Sequence, residues 1–132
     1  MNVRISPKNL AGEVTAIPSK SQAHRVLMAA ALSGHPIAMG NVSDDVEATK
    51  ECLEQLAGND SPVFNCRESG STLRFLLPVS MALKNKAKFI GTGELPNRPL
   101  SPLKEQLEEH GCVFKTERNE EICTVTGKLT GG

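Results

Sequence analysis

A short pattern returns along this chain at a spacing of 50 residues. Ser19-Lys-Ser21 recurs as Ser69-Gly-Ser71, and each is followed within one helical turn by an arginine, Arg25 or Arg74. Each start leads into a helix-period segment, then into a strand-like run ending in glycine (Gly40, Gly91). A second helical segment follows, carrying Glu54-Gln-Leu56 in one copy and Glu105-Gln-Leu107 in the other. The Glu-Gln-Leu match alone is within reach of chance, but the whole order is not. Two helix–strand–helix–strand units imply a duplicated α/β element. The expected organisation is opening strands over 1–18, a first unit over 19–66 and a second over 67–132.

The local signals fill in that frame. Val3 and Ile5, then Val14, Ala16 and Ile17, read as two short strands flanking the turn region Pro7–Gly12. From Ser19 the period becomes helical, with Ala23, Val26, Leu27, Ala30 and Ala31 on one face and Gly34 and Pro36 ending it. Ser19 with Gln22 fits a capping box. Ile37–Met39 is a strand candidate, followed by a helix from about Asp44 to Ala57 that buries Val46, Thr49, Leu53 and Leu56. A strand near Val63–Cys66 precedes a helix of about Ser71 to Leu83. That helix is apolar nearly all round, so it should lie deep, and Pro78 should kink it. Lys88–Ile90 is a strand. Ser101-Pro102 suits the cap and first position of a helix to about His110. Cys112–Lys115 and Ile122–Val125 form a hairpin around Glu117–Glu120.

Composition narrows the class. At 132 residues one compact domain is expected, and such a domain buries roughly two thirds of its unfolded surface. Lys+Arg and Asp+Glu are 15 each, and aromatics are limited to four Phe, so neither a basic stripe nor a stacking platform exists for nucleic acid. No run reaches the roughly 18 apolar residues of a membrane span, and the start does not read as a signal peptide. Cys52, Cys66, Cys112 and Cys123 stand singly, without metal-ligand spacing, which suggests buried reduced thiols and a cytoplasmic protein. Neither a metal nor an organic cofactor is expected.

What charge there is sits in telling places. Pro18-Ser-Lys-Ser-Gln-Ala-His-Arg25, Glu68-Ser-Gly-Ser-Thr-Leu-Arg74 and Leu95-Pro-Asn-Arg98-Pro-Leu-Ser-Pro102 put basic side chains at expected helix beginnings, where the backbone already carries partial positive charge. The cost is relieved when an oxyanion sits between helix end and side chain. A fourth beginning, Ser43-Asp-Asp-Val-Glu47, carries acids, as the dipole prefers. A solvated lysine beside a capping serine would explain Ser19-Lys-Ser21 alone. Arg25, one turn below on nearly the same side, adds a second cation that needs an anion between them. Gly70 permits close approach to backbone, although a plain turn glycine reads the same way. Arg74 has Glu68 as an alternative partner. Arg98, held between prolines, suits a bidentate grip on phosphate or carboxylate, although most arginines simply face solvent. His24 adjoins the basic cluster; neither it nor His35 nor His110 is assigned a catalytic role.

Pro18-Ser-Lys-Ser…His-Arg25, Ser43-Asp-Asp-Val-Glu-Ala-Thr49, Glu68-Ser-Gly-Ser-Thr-Leu-Arg-Phe-Leu-Leu-Pro78 and Gly93…Leu-Pro-Asn-Arg-Pro-Leu100, in this order, resemble the 3-phosphoshikimate 1-carboxyvinyltransferase (EPSP synthase) family over the whole chain. The sister UDP-N-acetylglucosamine enolpyruvyl transferases have a different lysine motif, so Ser21 favours the shikimate branch. The resemblance implies repeated βαβαββ-type units of an inside-out barrel lobe, with about two units present. It also implies transfer of the enolpyruvyl group of phosphoenolpyruvate to the 5-hydroxyl of shikimate 3-phosphate, by addition and elimination without a cofactor.

Carried over by motif, Lys20 is catalytic. Lys20, Ser21 and Arg25 bind shikimate 3-phosphate, and Lys20, Gly70 and Arg98 hold phosphoenolpyruvate, with Ser69, Ser71 and Arg74 in support. Glyphosate would sit at the Gly70 loop. The partners implied are these small phosphates, together with the rest of a two-lobed enzyme or a second copy meeting an exposed edge.

The family pattern is departed from in three respects. The second lobe, with its base and further cations, has no counterpart here. Gly58-Asn-Asp-Ser-Pro62 is short, and Arg67 stands where glycine is common. The chain by itself is therefore expected to be inactive or nearly so. A non-catalytic phosphate-binding module, or a half that works only with a separate second lobe, remains open at this point.

Overall fold

The computed structural model describes residues 3–4, 6–7, 9, 11–16, 18–35, 37–116 and 121–131. In chain order the elements are α1 (Lys20–Ser33), α2 (Asp44–Gly58), β1 (Val63–Asn65), α3 (Gly70–Leu83), β2 (Lys86–Ile90), a single 3-10 turn (Leu95–Asn97), α4 (Leu103–Glu109), β3 (Cys112–Lys115) and β4 (Glu121–Gly127). The four strands form one mixed sheet in the order β1-β2-β4-β3. β1 and β2 run parallel, so the chain must cross over between them, and α3 is that crossover. β2 and β4, and β4 and β3, pair antiparallel. The turn of the expected hairpin, Glu117–Glu120, lies outside the described residues.

The core forms where α2 and α3 meet the sheet. Phe64 and Phe89 are directly paired across β1 and β2, with ring centroids 5.1 Å apart, and both are fully buried. Leu73, Leu76, Leu77 and Met81 of α3 pack with them, joined by Leu107 of α4 and Val125 of β4. Fully burying such side chains contributes roughly 1.5–3 kcal/mol each. The near-continuous apolar surface of α3 is explained by this position. A smaller cluster of Ala23, Leu27 and Val46, with Met39, Val42 and Leu53 against it, holds α1 to α2. All four cysteines are buried and unbridged. Neighbouring thiols and burial push Cys66 upward, and burial first, then Glu121, pushes Cys123 to about 12, so neither is a reactive thiolate.

Several sequence expectations are corrected. The described residues of the opening segment form no strand, and Val3 and Val14 lie exposed. Residues 37–39 are irregular too. A strand needs a partner for its backbone groups, and none of these segments reaches a sheet edge in the described residues. The inward face of α1 is turned from the expected one: Val26 and Ala31 are exposed, and His24 and Met28 are buried instead. Ser19 makes no side-chain cap, so the capping box does not form. Ser101 does not cap α4 either. Its hydroxyl goes to the Glu105 carboxylate, and the helix begins at Leu103.

Candidate functional site

The first turns of three helices converge. Lys20 is the first residue of α1, Asp45 the second of α2 and Gly70 the first of α3; all three line one open cavity of about 360 Å³, with Ser71, Arg74, Phe75 and Arg98. The segment after β2 brings Arg98 here. The backbone at Gly91 passes so close to Arg67 that a Cβ would lie 2.9 Å from the Arg67 carbonyl oxygen, and Thr92 N–H donates to that same oxygen at 2.8 Å. This crossing ties the Leu95–Arg98 segment beside the start of α3.

At the start of α3, capping determines which amides remain outward. Ser69 Oγ accepts from Thr72 N–H at 3.2 Å, and the Ser69 carbonyl accepts from Leu73 N–H. The amides of Gly70 and Ser71 are thus left outside the helix's own bonding. Two guanidinium groups crowd the same spot. A Cβ on residue 70 would lie 2.7 Å from Arg74 Nη1 and 3.4 Å from Arg98 Nη1, so glycine is what lets the Arg74 guanidinium lie where it does, with Arg98 beside it. Arg74 is held there by the Gly70 carbonyl at 3.3 Å and the Pro99 carbonyl at 3.0 Å, not by Glu68.

Lys20 has an internal counter-ion, the Asp45 carboxylate. The acidic helix start that looked like an unrelated contrast therefore faces the same cavity. Even so, three cations and one carboxylate face it, together with a helix N-terminus. This suits a ligand carrying phosphate or carboxylate oxygens.

Of the sequence candidates, Lys20, Gly70, Ser71, Arg74 and Arg98 are brought together around the cavity. Ser21 and Arg25 are not among its lining. Both are exposed, and Arg25 Nη1 donates back to the Ser21 carbonyl at 2.9 Å. Ser69 is fully buried beneath the site, as the α3 cap. Two residues were missed. Asp45 carried a signal, since Ser43-Asp-Asp-Val-Glu47 was noted, but as a helix start and not as a lining group. Phe75 lay hidden in an apolar helix. Among the described residues no group of His, Cys, Asp or Glu could hold a metal ion. No helix of the described residues is long and apolar enough to cross a membrane.

Comparison with known proteins agrees with the resemblance. The family model for EPSP synthase (3-phosphoshikimate 1-carboxyvinyltransferase) matches residues 5–62. Curated relatives named 3-phosphoshikimate 1-carboxyvinyltransferase are similar over nearly the whole chain. That of Clostridium perfringens strain SM101 is 38% identical over 98% of this chain and 36% of its own length. That of Clostridium kluyveri is 37% identical over 98% and 35%, and that of Clostridioides difficile strain 630 is 32% identical over 97% and 36%. The first alignment runs over 151 positions against a chain of 132 residues, so the relative carries extra residues within the matched region. The chain spans about a third of the length of the curated relatives it matches. The chain is thus similar to these relatives over nearly its whole length, and to the EPSP synthase family model over residues 5–62.

Proposed function

We propose that this chain provides one wall of the substrate site for enolpyruvyl transfer from phosphoenolpyruvate to the 5-hydroxyl of shikimate 3-phosphate, with release of phosphate. The observation that carries this reading is the meeting of Lys20, Gly70, Arg74 and Arg98, from three separate segments, around one cavity at the start of α3. In this reading Arg98, Arg74 and the Gly70 and Ser71 amides hold phosphoenolpyruvate oxygens, and glyphosate competes there. Lys20 reaches both substrates, and its ammonium stabilises charge that develops during addition. Ser21 and Arg25, on the exposed side of α1, contribute to shikimate 3-phosphate. That contribution requires Arg25 to leave the Ser21 carbonyl.

The cavity is open to solvent, and an open wall neither excludes water nor places donors on both sides of a developing charge. The chain alone is therefore inactive or nearly so, and turnover needs a second lobe, supplied as a separate polypeptide or as more of the same one. Two units, 19–66 and 67–132, preceded by the segment 1–18, remain the proposed organisation, and the cytoplasm the proposed location.

The test is calorimetric titration of the chain with shikimate 3-phosphate and with inorganic phosphate. We expect the former to bind at least tenfold more tightly, and Lys20→Ala to remove most of that difference. Equal affinities would favour a general phosphate-binding module. An unchanged affinity in Lys20→Ala would remove Lys20 from the site. Phosphate release from both substrates by the chain alone, at a rate near that of a full-length relative, would overturn the half-site reading.

A further inference from the structure

His24 lies on the buried face of α1 and is 1% exposed, yet the substrate site described above makes no use of it. Its Nδ1 is 2.8 Å from Thr49 Oγ1 on α2. Thr49 Oγ1 is 2.7 Å from Thr72 Oγ1 on α3, and Thr72 Oγ1 donates at 2.7 Å to Ser69 Oγ, the α3 cap. Both threonine hydroxyls also reach the Asp45 carbonyl at 3.2 Å. One buried chain of polar contacts thus links three helices. It ends on the main chain of Asp45 and on the residue preceding Gly70, and Asp45 and Gly70 both line the cavity.

We propose that His24 is a positioning residue: through Thr49 and Thr72 it sets the starts of α2 and α3 so that the Asp45 carboxylate and the Gly70 amide face the same cavity as Lys20. This inference deepens the proposed function and rests on it for its ligand.

The network favours one ring tautomer. With Nδ1–H donating to Thr49 Oγ1, the single protons of the Thr49 and Thr72 hydroxyls are shared among each other, Ser69 Oγ and the Asp45 carbonyl. In this arrangement Nε2 carries only a lone pair. It is buried and has no hydrogen-bond partner among the described residues. A proton there would be a buried donor without an acceptor, so the ring stays neutral. Burial lowers the affinity of the ring for a proton, Asp45 opposes this, and Lys20 adds to it. Phe75 of α3, with its ring centroid 6.4 Å away, offers no acceptor.

The experiment uses the whole chain and three variants: His24→Leu, His24→Asn (which keeps an N–H near the Nδ1 position) and Thr49→Val, which cuts the relay while leaving the ring. Two readouts are taken on protein shown to be folded by its thermal transition. The first is the backbone amide spectrum, which needs no ligand; the second is affinity for shikimate 3-phosphate. A long-range proton–nitrogen spectrum of the parent should show His24 neutral and protonated at Nδ1 at pH 7. In His24→Leu the amides of Asp45 and Gly70 should shift and affinity should fall about tenfold. His24→Asn should recover affinity to within about threefold, and Thr49→Val should resemble His24→Leu. If His24→Leu does not fold, Thr49→Val decides. Unmoved Asp45 and Gly70 amides, parental affinity in the folded variant, or an Nε2-protonated ring would each overturn the inference. If the parent itself shows no preference for shikimate 3-phosphate, the proposed function fails, and the amide spectra still decide the role of His24.

Discussion

Lys20 and Asp45 form an ion pair between the first residue of α1 and the second residue of α2, and both line the cavity that receives Arg74 and Arg98. The lysine side chain is 52% exposed and the aspartate 26%, so the pair lies in high dielectric and adds well under 1 kcal/mol to stability. Its consequence is for binding, because an incoming oxyanion must compete with Asp45 for the ammonium.

Asp45→Asn should therefore raise affinity for inorganic phosphate about three- to tenfold at low salt, and the gain should shrink as ionic strength rises. Its unfolding free energy should change by less than about 1 kcal/mol. Phosphate titrations at two salt concentrations check this. A lower affinity in the variant would mean that Asp45 helps to hold the ligand.

The sequence foretold the elements that carry a strong local pattern, and the structure explains where it fell short. α2, α3 and β3 lie within about a residue of their expected bounds because caps, turn residues and periodicity agree there. The segments around Val3, Val14 and Ile37–Met39 read as strands on composition alone. A strand is decided by its partner edge, which a local pattern does not contain. Lys20, Gly70 and Arg98 could be singled out because a cation or a glycine at a helix start is locally anomalous. Asp45 was hidden by being locally normal, an acid at a helix N-terminus, and only the packing of α1 on α2 reveals its partner. His24 was obscured for a related reason. The apolar stripe suggested Val26 and Ala31 inward, and a rotation of the helix brought the histidine inside instead.

Gly70→Ala tests the crowding at the start of α3. A methyl group there meets Arg74 Nη1 at 2.7 Å, and the long arginine side chain yields more readily than backbone. The guanidinium should lose its bonds to the Gly70 and Pro99 carbonyls, and affinity for phosphate should fall about three- to tenfold. Stability should stay within about 0.5 kcal/mol of the parent, because alanine is the better helix residue. Calorimetry paired with urea unfolding separates the two effects. A large stability loss with parental affinity would contradict the assignment.

Arg67 has φ of +50°, in the left-handed region that non-glycine residues enter at a cost of about 1–2 kcal/mol. Its amide donates to Asn65 Oδ1 at 3.0 Å, and its guanidinium meets Glu51 at 2.7 Å on the surface. Both Arg67→Gly and Arg67→Ala lose that exposed pair, and only glycine relieves the backbone. Arg67→Gly should therefore be more stable than Arg67→Ala by about 1 kcal/mol, reversing the usual order of these residues. Equal urea midpoints for the two variants would rule out strain at this position.

His24 also makes stability depend on pH in a defined direction. Its folded-state affinity for a proton is depressed, chiefly by burial, below the ordinary histidine value of 6.5. Between that value and the lower folded one the unfolded chain binds the proton more readily. Stability therefore rises with pH across this window, and it is lost as pH falls below 6.5. Depressed carboxylates act lower down. Glu121, held by Lys88 and by Thr124, and Glu105, held by the Ser101 hydroxyl, contribute stability above their ordinary 4.5 that is lost as pH falls through their folded values. Urea unfolding at pH 7.5 and pH 5.5 thus isolates the histidine. The parent should weaken measurably on this step. His24→Leu should weaken measurably less, although the variant is less stable at pH 7.5 because it removes the buried hydrogen bond between the ring and Thr49. A parent and a variant that lose the same stability between these two pH values would show that the buried ring is not the titrating group.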